Sequence, residues 1–151
     1  MNQSVFIVDD DPAVRDSISL WLSCHSYNSV CFEDAMQFIQ QFTADLSGCI
    51  IADIRMPGMD GLELQAHLNE MGCQLPLIFI TGHGTVPMAV EAMRNGALDY
   101  LRKPVNEQQL LLKVEEAFAT DEANSQRRQQ TLEHQTQLNS LTKREQQIAA
   151  L

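Results

Sequence analysis

The chain has 151 residues, of which 44% are hydrophobic, and this is enough to build one buried core with an appendage. Its 20 acidic and 10 basic residues give a formal net charge of −10, which argues against strong binding of nucleic acid by these residues alone. No apolar stretch approaches the roughly eighteen residues that cross a membrane, and the N-terminus lacks the pattern of an export signal. The four cysteines show no CxxC spacing, so we expect a reduced, cytoplasmic protein.

The negative charge is confined to the first part of the chain. Residues 1–118 contain 16 acidic and 6 basic side chains, a net charge of −10, whereas residues 119–151 contain 4 of each. The composition also changes there, to a segment rich in glutamine and charged residues. We therefore expect one globular domain followed by a segment of different character.

Apolar runs alternate with helical patterns from the start of the chain. The runs predicted to be strands are Ser4–Val8, Ser29–Phe32, Cys49–Asp53, Leu77–Thr81 and Leu98–Leu101. Apolar residues at helical spacing follow each run, which predicts five helices. Because the strands are apolar runs rather than alternating patterns, we expect them to be buried on both faces. The sequence therefore predicts an α/β fold in which helices cover both sides of a five-stranded parallel sheet.

Residues that can begin helices agree with these boundaries. The candidate N-caps are Asp11, Asp34, Thr85 and Asn106. Pro12 directly after Asp11 is typical of the first turn of a helix.

The end of the chain has a weaker pattern. Residues 121–140 contain two leucines as their large apolar side chains, too few to establish a heptad seam. They are compatible with a linker helix, either continuing the fifth helix or separate from it, and equally with partial disorder. In residues 141–151, Thr142 and Glu145 have the spacing of a capping box, which predicts the start of another helix.

Polar side chains stand where four of the predicted strands end. Asp9 and Asp10 follow the first strand, Asp53 ends the third, Thr81 ends the fourth, and Lys103 follows the fifth. Because the carboxyl ends of parallel strands meet at one edge of a sheet, we expect these side chains to share one pocket.

Three neighbouring carboxylates repel each other, and a bound cation relieves the repulsion without protonation. Mg²⁺ prefers oxygen ligands, so the acids predict a magnesium site. Asp53 could then attack phosphorus as a nucleophile while Lys103 counters charge on the transferred group, giving an acyl phosphate. Each residue alone has a simpler explanation, a helix cap for an Asp or a backbone hydrogen bond for Thr81, so the prediction depends on the whole set.

Four segments carry a resemblance to a known family. They are Ile7–Asp11, Asp53–Gly61, Ile80–Gly84 and Tyr100–Pro104. In order and spacing they resemble the receiver domain of two-component response regulators, over residues 3–120, and most of all regulators of the FixJ type. The resemblance implies a flavodoxin-like, doubly wound (βα)5 domain with strand order 2-1-3-4-5. It also implies that 121–140 is a linker helix and that 141–151 begins a LuxR-type helix-turn-helix output domain, incomplete here.

The resemblance implies a role for each acidic residue. Asp53 would accept the phosphoryl group. Asp10 would bind Mg²⁺ directly and Asp9 through a water molecule, while Asp53 and the backbone carbonyl of Arg55 would complete the metal site.

The remaining matched residues would act on the phosphoryl group or report its presence. Thr81 would donate a hydrogen bond to it and Lys103 would bridge to it, with a cis peptide bond between Lys103 and Pro104. Tyr100 would be a rotameric switch that turns inward when Thr81 moves.

The resemblance also implies partners. A sensor histidine kinase would supply the phosphoryl group, and phosphorylation would promote a homodimer through the face of the fourth helix, fifth strand and fifth helix. The output domain would bind DNA to control transcription. No membrane partner is expected. The protein would not be an enzyme in the usual sense, since it would promote only its own phosphorylation and dephosphorylation.

Two other classes of protein match part of the pattern. Phosphatases of the haloacid-dehalogenase type use an Asp nucleophile and Mg²⁺ after a first strand, and Asp9–Asp11 nearly fits their DxDx[TV] motif. However, Ala13 stands where Thr or Val is needed, and Asp53 is left unexplained. A stand-alone receiver adaptor is the other alternative, and the pattern of 141–151 argues against it.

Overall fold

A parallel five-stranded sheet forms the centre of the computed structural model, which describes residues 3–82 and 86–124. The strands are β1 (Ser4–Val8), β2 (Asn28–Phe32), β3 (Gly48–Asp53), β4 (Leu77–Thr81) and β5 (Asp99–Arg102). They lie in the order β2-β1-β3-β4-β5, and every neighbouring pair is parallel. The predicted doubly wound sheet and its strand order are confirmed.

Helices cover both faces of the sheet. They are α1 (Pro12–Cys24), α2 (Ala35–Gln41), α3 (Gly61–Glu70), α4 (Val86–Arg94) and α5 (107–124). Successive strand residues point to opposite faces, so Phe6 and Val8 belong to one hydrophobic core while Val5 and Ile7 belong to the other. The first core includes residues of α2, α3 and α4, and the second includes residues of α1 and α5.

The central strands and the edge strands differ in burial. All residues of β3 and β4 are buried, as are all but the first of β1. In β2, by contrast, Val30 and Cys31 are exposed, and β5 contains no fully buried residue. The expectation of burial on both faces is therefore wrong for the two edge strands, because each has a neighbouring strand on one side only.

The strand bounds agree closely with the sequence pattern. β1 and β4 have the predicted bounds, and β2 and β3 each begin one residue earlier. β5 is shifted by one residue, since its pairing with β4 runs from Asp99 to Arg102 rather than from Leu98 to Leu101.

Capping side chains begin most of these helices. Asp11, Asp34 and Asn106 each accept a hydrogen bond from a backbone N–H two or three residues further on, as predicted. Asp60 forms a capping box at α3, which the sequence pattern had not indicated. Thr85 lies outside the described residues, as do the predicted output-domain segment 141–151 and most of the predicted linker.

A buried carboxylate joins α5 to the sheet at the edge where β3 begins. Asp121 Oδ2 accepts hydrogen bonds from the Ser47 hydroxyl at 2.7 Å, the Gly48 N–H at 2.9 Å and the Gln3 side-chain amide at 3.3 Å. The first compact unit of the chain ends at Asp121. In the part of the chain that the structure describes, no helix is long and apolar enough to span a membrane.

Gly48 provides a test of this packing, with Gly72 as a matched control. Both have a positive φ, +129° and +75°. A Cβ at Gly48 would lie 1.8 Å from the Ser4 carbonyl oxygen, whereas one at Gly72 would meet none of the described atoms within 4 Å. We predict that Gly72→Ala lowers the free energy of unfolding by about 1–2 kcal/mol, from backbone strain alone. Gly48→Ala adds a backbone clash and should cost roughly 4 kcal/mol or more.

Urea denaturation of the two variants measures this difference. Equal losses of stability would show that the close approach of β3 to Ser4 does not constrain the fold.

Candidate functional site

Three acidic side chains converge where β1 and β3 end. Val8 pairs with Ala52, so the residues that follow them, Asp9 and Asp53, come side by side. Carboxylate oxygens of Asp9, Asp10 and Asp53 all lie within 4.8 Å of one another. Asp9 and Asp53 are buried, and Asp10 is exposed. The structure thus brings together the acids that the strand pattern predicted to share a pocket.

Lys103 lies between two of these acids. Its Nζ atom is 2.8 Å from Asp53 Oδ2 and 3.1 Å from Asp9 Oδ2. The residue directly follows β5, and its backbone N–H donates to the Thr81 carbonyl at 2.9 Å, which continues the pairing with β4. The peptide bond between Lys103 and Pro104 is cis. One ammonium group therefore contacts two carboxylates at the ends of different strands, Asp9 directly after β1 and Asp53 at the end of β3.

The loop after β3 supports Asp53 from the other side. Asp53 Oδ1 accepts a hydrogen bond from the Arg55 backbone N–H at 3.1 Å. The loop then turns back, and the Gly61 N–H donates to the Ile54 carbonyl at 2.7 Å. A Cβ at Gly61 would lie 2.5 Å from the Asp53 carbonyl oxygen, so only glycine fits this return. The sequence pattern contained this glycine but did not indicate its packing role.

Burial makes the charge of Asp9 costly. Asp9 Oδ1 accepts from the Asp11 backbone N–H at 2.9 Å. Asp9 Oδ2 is buried and, among the described residues, accepts no hydrogen bond of good geometry, although it lies within ion-pair distance of Lys103. Burial raises the pKa of Asp9, and repulsion from Asp53 adds to this, while the contacts with Asp11 and Lys103 oppose it.

The same contacts affect Lys103. Burial alone lowers the pKa of an ammonium group, but the contacts with Asp53 and Asp9 outweigh burial, so the pKa of Lys103 lies above the ordinary lysine value. Lys103 therefore stays charged at neutral pH, yet a single positive charge cannot balance three carboxylates.

This set of donors fits a magnesium ion. All of the clustered side-chain donors are carboxylate oxygens, which are the ligands that Mg²⁺ prefers. A water molecule bound to such a cation could also donate a hydrogen bond to the buried oxygen of Asp9 that lacks one. The chemistry of the site thus agrees with the predicted cofactor.

The two predicted switch residues, Thr81 and Tyr100, lie in different parts of the structure. Thr81 is buried at the end of β4, the strand next to β3, close to the acidic end of the sheet. Tyr100 is half-buried in the middle of β5 and lines a groove of about 450 Å³ beside α4. Tyr100 is therefore part of a surface groove rather than of the acidic cluster.

A further contact, with Arg15, was missed in the sequence. The guanidinium of Arg15 donates from Nη1 to the backbone carbonyl of Asp9 at 2.6 Å. Arg15 stands one turn into α1, four residues after the cap Asp11. A long cationic side chain in the first turn of α1 can reach back to the end of β1. The position of Arg15, six residues after Asp9, was therefore the feature of the sequence that could have predicted this contact.

Comparison with known proteins agrees with the fold. The family model described as "Response regulator receiver domain" matches residues 5–115. The response regulator protein TmoT of Ectopseudomonas mendocina is 40% identical over 144 residues, which cover 95% of this chain and 66% of TmoT. The transcriptional regulatory protein FixJ of Bradyrhizobium diazoefficiens is 35% identical over 144 residues, covering 95% of this chain and 70% of FixJ.

A solved structure gives the same result. The response regulator StyR superposes with a TM-score of 0.90 at 37% identity, covering 97% of this chain and 74% of that one. The chain belongs to the response regulator receiver family and is similar to regulators of the FixJ type. A receiver domain is regulatory rather than catalytic, which argues against the haloacid-dehalogenase alternative for residues 5–115. The chain spans about two thirds of the length of TmoT.

The buried charge of Asp9 leads to a stability prediction. In magnesium-free buffer at neutral pH, we expect Asp9→Asn to raise the free energy of unfolding by about 1–2 kcal/mol, since the amide removes a poorly solvated charge and one source of repulsion. Because the pKa of Asp9 is raised in the folded state, the native protein loses stability as pH rises from about 4 through that pKa. The advantage of the variant should therefore shrink as pH is lowered towards about 4.

Asp10→Asn is the matched control. It removes the same charge from an exposed position, so its effect on stability should be smaller. Thermal denaturation across this pH range measures both variants, and an Asp9→Asn protein less stable than the native one at neutral pH would contradict the argument.

Proposed function

We propose that this protein is the receiver of a two-component system and accepts a phosphoryl group on Asp53 from a sensor histidine kinase. The observation that carries the proposal is the cluster of Asp9, Asp10 and Asp53 with Lys103 in contact with two of its members. Family membership supports the same role, since receivers are the partners of sensor kinases.

The chemistry follows from the contacts of Asp53. One carboxylate oxygen forms a bond to phosphorus while the bond between phosphorus and the kinase histidine breaks, and the imidazole leaves with the electron pair. The Arg55 N–H and Lys103 hold the two oxygens of Asp53 before reaction, so the nucleophile is oriented. Lys103 would then contact the phosphoryl oxygens and offset their charge. The Thr81 hydroxyl, at the neighbouring strand end, would donate a hydrogen bond to the same group.

Residues of the cluster would hold the cofactor. Asp10 and Asp53 would bind Mg²⁺ through carboxylate oxygens, Asp9 through a water molecule, and Arg55 through its backbone carbonyl. When bound, the ion supplies positive charge that lowers the repulsion between the acids and the incoming phosphoryl group.

A labelling experiment tests the acceptor residue. With a small phosphodonor and Mg²⁺, we expect the native protein to gain the mass of one phosphoryl group and Asp53→Asn to gain none. Asp45→Asn is the matched control, because Asp45 is an exposed aspartate in the loop before β3 and should leave labelling unchanged.

Intact mass spectrometry with and without a chelator is the measurement. Equal labelling of Asp53→Asn, or labelling that does not depend on Mg²⁺, would contradict the proposal.

Phosphorylation would act as a switch because it adds charge and acceptor oxygens at one point. Contacts from Thr81 and Lys103 to the phosphoryl group would exist only in the modified state, and Tyr100 would turn inward as Thr81 moves. Shifting a population from about 1% to 99% takes about 5.5 kcal/mol, which a few charge-assisted hydrogen bonds can provide. The resulting change would appear at α4 and β5.

That face has the apolar surface that a dimer needs. Val86, Val90 and Met93 of α4 are 66%, 45% and 43% exposed, and they line the groove beside Tyr100. Single exposed apolar residues are common, but three on one short helix form a continuous patch. We therefore propose that the phosphorylated protein forms a homodimer through this α4–β5 face.

Sedimentation velocity tests the dimer with beryllofluoride and Mg²⁺ as a stable phosphoryl analogue. We expect the native protein to become dimeric on addition of the analogue and Val90→Glu to stay monomeric, because a buried unpaired carboxylate opposes association. Leu20→Glu is the matched control, because Leu20 is 62% exposed on α1, which packs on the other face of the sheet. We expect this variant to dimerise as the native protein does.

Two results would contradict this proposal. One is an unchanged sedimentation coefficient of the native protein with the analogue. The other is an equal effect of both substitutions, which would show that association does not depend on α4.

We propose further that the receiver controls transcription in the cytoplasm through a DNA-binding output domain. The relative FixJ is named a transcriptional regulatory protein, and the chain spans 70% of its length. Residues 121–140 would be the linker and 141–151 the start of a LuxR-type helix-turn-helix module. The gene sequence beyond codon 151 tests this, and a stop codon there would favour the stand-alone adaptor.

A further inference from the structure

We propose that Arg15 is a positioning residue for the magnesium site and acts by fixing the peptide plane that joins Asp9 to Asp10. The observation is the hydrogen bond of 2.6 Å from Arg15 Nη1 to the Asp9 carbonyl oxygen. Arg15 contributes no oxygen ligand of its own, so its effect reaches the ion through the two acids. The inference rests on the function proposed above.

The carbonyl of Asp9 belongs to the peptide bond between the two acids. Because a peptide unit is planar, holding its oxygen restricts the rotation of the whole plane, and with it the position of the next Cα. The Asp9 N–H donates to the Phe32 carbonyl at 3.2 Å, and Asp9 Oδ1 accepts from the Asp11 N–H. Asp9 is thus held at its N–H, its side chain and its carbonyl, and Arg15 provides the third contact.

This third contact matters most for Asp10. Asp9 is buried and kept in place by its surroundings, whereas Asp10 is exposed. The orientation of the plane before Asp10 decides whether its carboxylate points towards Asp9 and Asp53. Without the Arg15 contact, we expect Asp10 to sample other directions, which costs conformational entropy when a cation binds.

Arg15 is itself well anchored. Asp11 caps α1 by accepting from the Ala13 N–H at 2.9 Å, and the Arg15 N–H donates to the Asp11 carbonyl at 3.1 Å. The side chain of Arg15 is half-buried. The guanidinium therefore extends from a rigid helical turn, and a short hydrogen bond from a charged donor is among the stronger kinds.

The charge of Arg15 and its positioning role predict opposite effects on Mg²⁺ affinity when Arg15 is replaced, which makes the inference testable. A guanidinium near a divalent cation repels it, so electrostatics alone predicts that removing Arg15 strengthens Mg²⁺ binding. The positioning role predicts that removal weakens it. The sign of the change therefore separates the two effects.

Isothermal titration of Mg²⁺ into the folded protein, without a phosphodonor, measures this sign. We expect the Kd to rise about 10-fold for Arg15→Gln, a typical loss for residues that orient metal ligands. The glutamine amide can donate but is too short to reach as far as arginine, whereas Arg15→Lys keeps a donor on a longer side chain and should show a smaller rise. Lys113→Gln is the control, since it removes one positive charge from α5, where Lys113 pairs with Asp99 of β5 and with Glu116. We expect this variant to leave the Kd unchanged.

Each outcome decides between the proposals. An unchanged or lower Kd in Arg15→Gln overturns the positioning role while the proposed function stands. Absence of Mg²⁺ binding by the native protein overturns both. If Arg15→Gln does not fold, as judged by circular dichroism, the Kd of Arg15→Met decides, because methionine fills similar space and donates no hydrogen bond. A higher Kd than that of the native protein supports the role, and an equal or lower Kd overturns it.

Discussion

Repulsion among three carboxylates at one end of the sheet is the constraint on which the rest of the site depends. The parallel register puts Asp9 beside Asp53, so the backbones of these two acids cannot move apart without breaking the pairing of β1 with β3. Lys103 contacts two of them but supplies one positive charge. The remaining negative charge and the buried oxygen of Asp9 lower the stability of the protein alone and favour a divalent cation. Functional sites often retain such unfavourable charge.

A second buried carboxylate lies at the opposite end of the sheet, where hydrogen bonds hold it through one oxygen. Asp121 is as deeply buried as Asp9, yet one of its oxygens accepts from Ser47, Gly48 and Gln3. That carboxylate ties the end of α5 to the start of β3 and is structural. Each of the two carboxylates has one buried oxygen that accepts no hydrogen bond among the described residues, so the difference at Asp9 is the presence of two further carboxylates beside it.

In the proposed function, phosphorylation and dimerisation take place at different parts of the fold. The reaction centre lies at the carboxyl ends of β1 and β3, whereas the apolar face lies along α4 and β5. Thr81 and Lys103 join the two regions, since one ends β4, the other follows β5, and a backbone hydrogen bond links them. A change at Asp53 would reach α4 through two neighbouring strand ends rather than across the core.

The sequence by itself determined the α/β class, the strand positions and the residues of the acidic cluster, because apolar runs and strand-end polar residues are local patterns and parallel strands bring their ends together. The strand order came from the resemblance to receivers. Tertiary structure alone decided the exposure of β2 and β5, the contact of Arg15 with Asp9, and the hydrogen bonds from Ser47 and Gly48 to Asp121. The exposure of a strand depends on whether it lies at the edge of the sheet, and the contacts of Arg15 and Asp121 depend on how other segments of the chain are placed beside them. The types of side chain along the sequence do not encode these arrangements directly.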